Sequence, residues 1–331
     1  MKKILEIKDL HVHFYTYAGV VKAVSGVNLE IYEGETFCLV GETGCGKTVT
    51  SRAITRLVPS PGKIIKGEII YYKDGKPINL LEIPEEKLRK IRGDEISYIF
   101  QDPTASLDPL YTSGYQITET IFAHRKVSKN KAWREAIELM KSVLIPDAES
   151  RVKNYPHELS VGMRQRVVIS IGLANRPRII IADEPTSAVD VTIQAELLDI
   201  LRKLKDLYNT TTILITHNMG VVAEMCDRVA VMYAGRIAEV GTVNEIFKDP
   251  KHPYTKGLLK AVPNPLTKIE KLEYIEGSVP NLIFPPSGCR FHPRCKYVMD
   301  ICKEENPPLF ELSPTRKVSC WLYSPEKREG G

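Results

Sequence analysis

The stretch GETGCGKT, Gly41 to Thr48, leaves the chain around it few choices of fold. It reads G-x-x-x-x-G-K-T. A short β-rich run, TFCLV (36–40), precedes it, and Ala53, Ile54, Leu57 and Val58 follow at helical spacing. Strand, glycine loop and helix form the context in which such a loop binds phosphate. Glycine lets the backbone wrap closely and aim N–H groups at phosphate oxygens, and the helix N-terminus adds partial positive charge. Gly41, Gly44, Cys45 and Gly46 are therefore expected to cradle the phosphates of a nucleoside triphosphate. Lys47 is expected to reach the β- and γ-phosphates, and Thr48 to ligate Mg²⁺.

A second stretch supplies carboxylates. RIIIADEP (Arg178–Pro185) is a continuous apolar run ending in two acids, as a buried parallel strand with its functional end at the C-terminus would. Asp183 is placed near the metal, and Glu184 is placed to orient and activate the attacking water. Alone, a strand ending in Asp-Glu is more often a solvated strand end; the glycine loop tips the reading towards chemistry. TTILITHN (211–218) is another buried strand, with His217 at its end, where a γ-phosphate contact is available.

The segment ELSVGMRQR narrows the class. Leu159-Ser160-Val161-Gly162-Met163 resembles the signature loop of ATP-binding-cassette (ABC) ATPases, commonly LSGGQ. In the order that family keeps, Gln101 in YIFQDP looks like the Q-loop glutamine, which also faces Mg²⁺. SAVD (187–190) looks like the D-loop with Asp190 as its acid, and His217 like the switch histidine. Tyr17 lies where the family sets an aromatic against adenine, with Tyr15 as the substitute and core packing the plainer role for both. The resemblance implies that Ser160 and Gly162 close over the ATP of a partner cassette in a head-to-tail dimer. Val161 departs from the family's glycine. A β-branched residue disfavours positive φ, so the signature site is expected to be present but weakened.

FQDPTASLDPLYTSGYQITE, HPYTKGLLKAVP and the ending GSVPNL…PPSGCRFHPRC resemble ATP-binding subunits of dipeptide and oligopeptide importers, which extends the likeness over nearly the whole chain. That family implies a P-loop α/β core with an antiparallel β subdomain, a helical insert and a small irregular C-terminal extension. It also implies two membrane permeases, a second ABC ATPase and an extracytoplasmic binding protein as partners, at the cytoplasmic face of the membrane. GEIIYYKDGKPINL (67–80) reads as a hairpin about KDG. Residues 102–164 read as the helical insert, with KAWREAIELMKSVL (131–144) its clearest amphipathic helix. Following Gln101 directly, this insert is expected to grip the permeases.

Twelve of the 22 prolines fall in residues 250–331, which sets a boundary between an ATPase domain, 1–249, and an extension, 250–331. A net charge of +5 does not suggest a nucleic-acid binder. The opening MKKILEIKDL does not read as a signal peptide, and no apolar run approaches a membrane span. A cytoplasmic setting makes disulfides unexpected, leaving Cys38, Cys45 and Cys226 as small buried residues. Cys289, Cys295, Cys302 and Cys320 are different: four thiols within 32 residues of a proline-rich segment. Their x₅, x₆ and x₁₇ spacings lack the tight pairs usual for zinc. All-thiolate ligation of a [4Fe–4S] cluster is expected, with zinc (His292 assisting) as the alternative. Other transported ligands, such as nickel, and a soluble ABC protein acting on nucleic acid or ribosomes, are the rival functions.

Overall fold

A computed structural model describes residues 2–187, 191–261 and 275–325. The chain divides into two compact units. The first comprises residues 1–32, 36–81 and 215–331; the second comprises 33–35 and 82–214.

The first unit carries a four-stranded antiparallel sheet. Strands Lys3–Thr16 and Gly19–Tyr32 form a hairpin, Lys3–Thr16 also pairs with Gly62–Lys73, and Lys76–Asn79 closes the other edge. The alternation in the sequence explains which face is buried. Leu5, Ile7, Leu10 and Val12 on one strand, and Val24, Val27, Leu29 and Ile31 on the next, are almost wholly shielded from water. The hairpin expected about KDG forms, turning at Asp74 and Gly75, both with positive φ as a two-residue turn requires.

A second sheet in this unit holds the loop. TFCLV is the strand Thr36–Val40, every residue of it buried, and it runs parallel to Arg228–Tyr233. Arg236–Thr242 pairs antiparallel with Arg228–Tyr233, then Arg316–Val318 and Phe310–Ser313 follow outward. Residues from beyond position 250 thus extend the sheet that bears the phosphate loop. They are locked there by Glu239, which is wholly buried. It accepts N–H hydrogen bonds from Lys251 (2.9 Å) and His252 (2.9 Å) and one from the Arg316 guanidinium at 2.8 Å. Burial pushes the His252 imidazole down to about 3, so this neighbour brings no competing charge.

One expectation about cysteine needs correction here. Cys38 and Cys226 are not separate buried thiols. They form a disulfide, with Cα atoms 6.0 Å apart, inside the usual span of the bond. Parallel pairing of Phe37 with Arg228 brings them together, which composition cannot reveal across 188 residues.

In the second unit, strands Ile96–Ile99 and Ile179–Asp183 pair in parallel. The helices of residues 102–164 include Ser113–His124 and Lys129–Ser142, each started by a hydroxyl cap, Thr112 and Ser128. Ala132, Ala136 and Met140 recur at four-residue intervals and are the buried stripe of the amphipathic helix. Helix Val161–Leu173 follows, burying Val167, Val168, Ile169 and Leu173 together with the polar Gln165 and Ser170.

Candidate functional site

The phosphate loop lies between strand Thr36–Val40 and helix Lys47–Ile54. Its first and last glycines are obligatory. Gly41 has φ +152°, and a Cβ there would stand 2.1 Å from the Met232 carbonyl oxygen. Gly46 has φ +103°, and a Cβ would stand 2.6 Å from that of Ala23. Gly46 gives the helix no side-chain cap, which suits a first turn whose N–H groups serve an anion. Lys47 is buried and donates to the carbonyls of Gly41 (2.8 Å) and Glu42 (3.1 Å), so its ammonium is held inside the curve of the loop. Cys45 is buried, and burial pushes its thiol up, keeping it neutral. In the same unit Tyr17 projects fully into solvent at a hairpin tip, while Tyr15 is half exposed beside Lys63. His217 is exposed immediately after strand Thr211–Thr216.

The carboxylates belong to the second unit. Asp183 ends its strand wholly buried and accepts a hydrogen bond from the Tyr98 hydroxyl at 2.9 Å. Glu184, the next residue, sits at φ +45°. A left-handed conformation costs a non-glycine residue about 1 kcal/mol and turns the side chain off the strand line. Gln101 donates from its amide to the Glu184 carboxylate at 2.9 Å. The structure therefore brings together Gln101, Asp183 and Glu184 as the motifs suggest. It adds Tyr98, whose role no motif flagged. In the folded chain it stands opposite Ile181 in the paired strand, a register that no signal in the sequence announced.

The signature loop needs a correction. Ser160 is the N-cap of helix Val161–Leu173, its hydroxyl accepting from the Met163 N–H, and Val161 is the first helical residue. Positive φ is not required of it, so the expected weakening by a β-branched side chain has no steric basis. Gly162 is buried in the same first turn. Asp190 lies outside the described residues.

The four C-terminal cysteines line one small cavity beside His292 and Trp321. Burial pushes the Cys289 thiol up to about 11 and Cys320 to about 12, and the neighbouring Cys295 and Cys302 push both the same way. Yet among the described residues no three Cys, His, Asp or Glu side chains stand close enough to hold a metal ion. The expected [4Fe–4S] cluster, and the zinc alternative, find no ready ligand set in this arrangement.

Comparison with known proteins decides the family. Residues 24–187 match the ABC transporter family, and residues 238–302 match the oligopeptide/dipeptide transporter C-terminal region. The oligopeptide transport ATP-binding protein OppD of Bacillus subtilis (strain 168) is 49% identical, over 98% of this chain and 90% of its own. The chain belongs to the ATP-binding proteins of the oligopeptide/dipeptide ABC transporter family. Another relative is the dipeptide transport ATP-binding protein DppD of Lactococcus lactis subsp. cremoris (strain MG1363), 48% identical over 98% of this chain and 92% of its own. Among solved structures, the dimeric post-hydrolysis state of the ATP-binding cassette MJ0796 bound to ADP and Pi is similar. It has a TM-score of 0.65 and 28% identity, over 72% of this chain and 99% of that one. The fold of this ABC transporter ATP-binding protein is thus that of an ABC ATPase, and its likeness to the peptide-transporter branch runs through the C-terminal region as well.

Proposed function

We propose that this chain is the ATP-hydrolysing subunit of an importer of di- and oligopeptides. The observation that carries the reading is the near-full-length likeness to peptide-transport ATP-binding proteins, C-terminal region included. The intact loop and carboxylate strand support hydrolysis. Tyr17 stacks on adenine, and the Gly41–Thr48 loop holds the phosphates with Lys47 as the cation. Thr48 and Gln101 would hold Mg²⁺, with Asp183 near it, and the bound ion would supply neutralisation of phosphate charge. Glu184 orients the attacking water and accepts its proton, steered by Gln101; His217 contacts the γ-phosphate. Ser160, Gly162 and Asp190 act across a dimer, closing over the partner ATPase's nucleotide. ATP is then a switch for association, and hydrolysis reopens the pair.

No helix among the described residues is long and apolar enough to cross a membrane. Transport therefore calls for two permease subunits, gripped by the helices of residues 102–164 on the cytoplasmic side, and an extracytoplasmic binding protein to present the peptide. The test is reconstitution with the permease pair and binding protein of a peptide importer. ATP-dependent uptake of a labelled tripeptide is expected, with crosslinks from permease loops to residues 102–164. Uptake of nickel alone would redirect the substrate. Association with ribosomes or RNA instead of permeases would overturn the reading.

We also propose that Cys289, Cys295, Cys302 and Cys320 take up a metal centre, a [4Fe–4S] cluster in preference to zinc. Their convergence on one cavity supports it, and the thiols must come closer together than they stand here for it to form. Anaerobically purified protein is expected to be brown and to hold about four irons per chain. One zinc and no iron would favour the alternative, and a metal-free preparation would remove the centre.

A further inference from the structure

Glu42, the second residue of the phosphate loop, is held from outside the loop at two points. Its carboxylate receives both arms of the Arg294 guanidinium, Nη1 to Oε2 at 2.9 Å and Nη2 to Oε1 at 3.3 Å. Its backbone N–H donates to the Tyr254 hydroxyl at 2.9 Å. Both partners come from beyond position 250. The remaining donors of Arg294 are also engaged. Nε donates to the Glu276 carbonyl (2.9 Å), Nη2 to that of Ile275 (3.1 Å), and Nη1 to the Tyr233 hydroxyl (3.3 Å). The Arg294 side chain is 7% exposed, so this fork is fixed in place. Tyr254 is wholly buried, its ring packed on Tyr233 (4.6 Å) and Phe291 (5.5 Å).

The position of Glu42 makes these contacts consequential. Its own carbonyl receives the Lys47 ammonium (3.1 Å) and the Cys45 N–H (3.2 Å), two groups assigned to phosphate. A carboxylate so close to a triphosphate site repels the ligand unless a cation neutralises it and turns it away. A paired bidentate guanidinium does both.

We propose that Arg294 and Tyr254 are positioning residues for nucleotide binding: they hold Glu42 by carboxylate and backbone, so that the C-terminal segment sets the shape and charge of the phosphate loop. This rests on the phosphate-loop reading and extends it to residues that do not touch nucleotide. The C-terminal region is then part of the ATP site's support, and not only an attachment to it.

The test is equilibrium binding of MgATP to the purified full chain, with steady-state ATPase rates and thermal melting alongside. Arg294→Ala is expected to weaken MgATP binding about tenfold, by leaving a carboxylate uncompensated beside the loop. The effect should fall on KM more than on kcat. The double variant Glu42→Gln/Arg294→Ala should recover most of the lost affinity, because the charge that repels is gone. A merely structural arginine would show no such rescue. Tyr254→Phe, which keeps the ring and removes the acceptor, should weaken binding about fivefold. Wild-type affinity in Arg294→Ala, or a double variant as weak as the single, would overturn the proposal. If Arg294→Ala melts early, unchanged affinity in Tyr254→Phe would do so. A wild-type chain with no MgATP affinity would instead overturn the phosphate-loop reading itself, and this inference with it.

Discussion

Glu184→Gln is expected to keep MgATP bound while turnover falls by about 10²–10⁴-fold, the range for losing a general base. The substitution keeps the shape of the side chain and an oxygen that can accept the Gln101 amide, which now lies 2.9 Å from the carboxylate. What it removes is the ability to take a proton from water. Asp183 cannot substitute, because it is wholly buried and bound to the Tyr98 hydroxyl. With hydrolysis blocked, the nucleotide that draws two cassettes together is no longer consumed. The variant should therefore elute from size exclusion as a dimer in MgATP and as a monomer without it. Turnover within threefold of wild type would remove Glu184 from the role, and a monomer in saturating MgATP would remove the association switch.

Arg316→Ala is expected to lower the unfolding free energy of the chain by about 3–5 kcal/mol, the cost of leaving one partner of a buried ion pair uncompensated. Glu239 is wholly buried and Arg316 is 7% exposed, so solvent screens the pair little. The guanidinium also donates to the carbonyls of Glu245 (3.3 Å) and Asp249, tying the helix Val243–Lys248 and its C-cap to strand Arg316–Val318. Denaturant unfolding monitored by fluorescence measures the loss. The double variant Glu239→Gln/Arg316→Gln should lose less than Arg316→Ala, since no unpaired charge is left inside. A loss under about 1 kcal/mol in the single variant would show that the carboxylate finds water or another cation.

The local parts of this molecule were legible from the sequence. TFCLV, GETGCGKT and KDG carry their own conformational demands, and strand, loop and hairpin formed where those demands placed them. The grouping of Gln101 with Glu184 followed from family motifs, not from any local rule. Tyr98, Tyr254 and Arg294 stayed hidden because their partners lie 85, 212 and 252 residues away. No periodicity encodes such a pairing; the sheet register does. The Cys38–Cys226 bond escaped for the same reason. Val161 shows the opposite error. A residue was judged against a family's usual glycine without the backbone angle that decides whether glycine is needed, and helix entry supplied an ordinary one.

Translation gives the sheet's construction a further consequence. Glu239 is synthesised 77 residues before Arg316, and Glu42 is synthesised 252 residues before Arg294. While the ribosome still holds those arginines, closing the loop-bearing sheet would bury one carboxylate with no cation and leave another facing the phosphate site. The second unit ends at residue 214, so all of it is synthesised before either arginine. The nascent chain should therefore gain ATP affinity in a step once Arg294 and Arg316 have emerged, rather than in proportion to its length. A truncated product ending before residue 294 is therefore expected to bind MgATP more weakly than the full chain, its phosphate-loop carboxylate left without its cation.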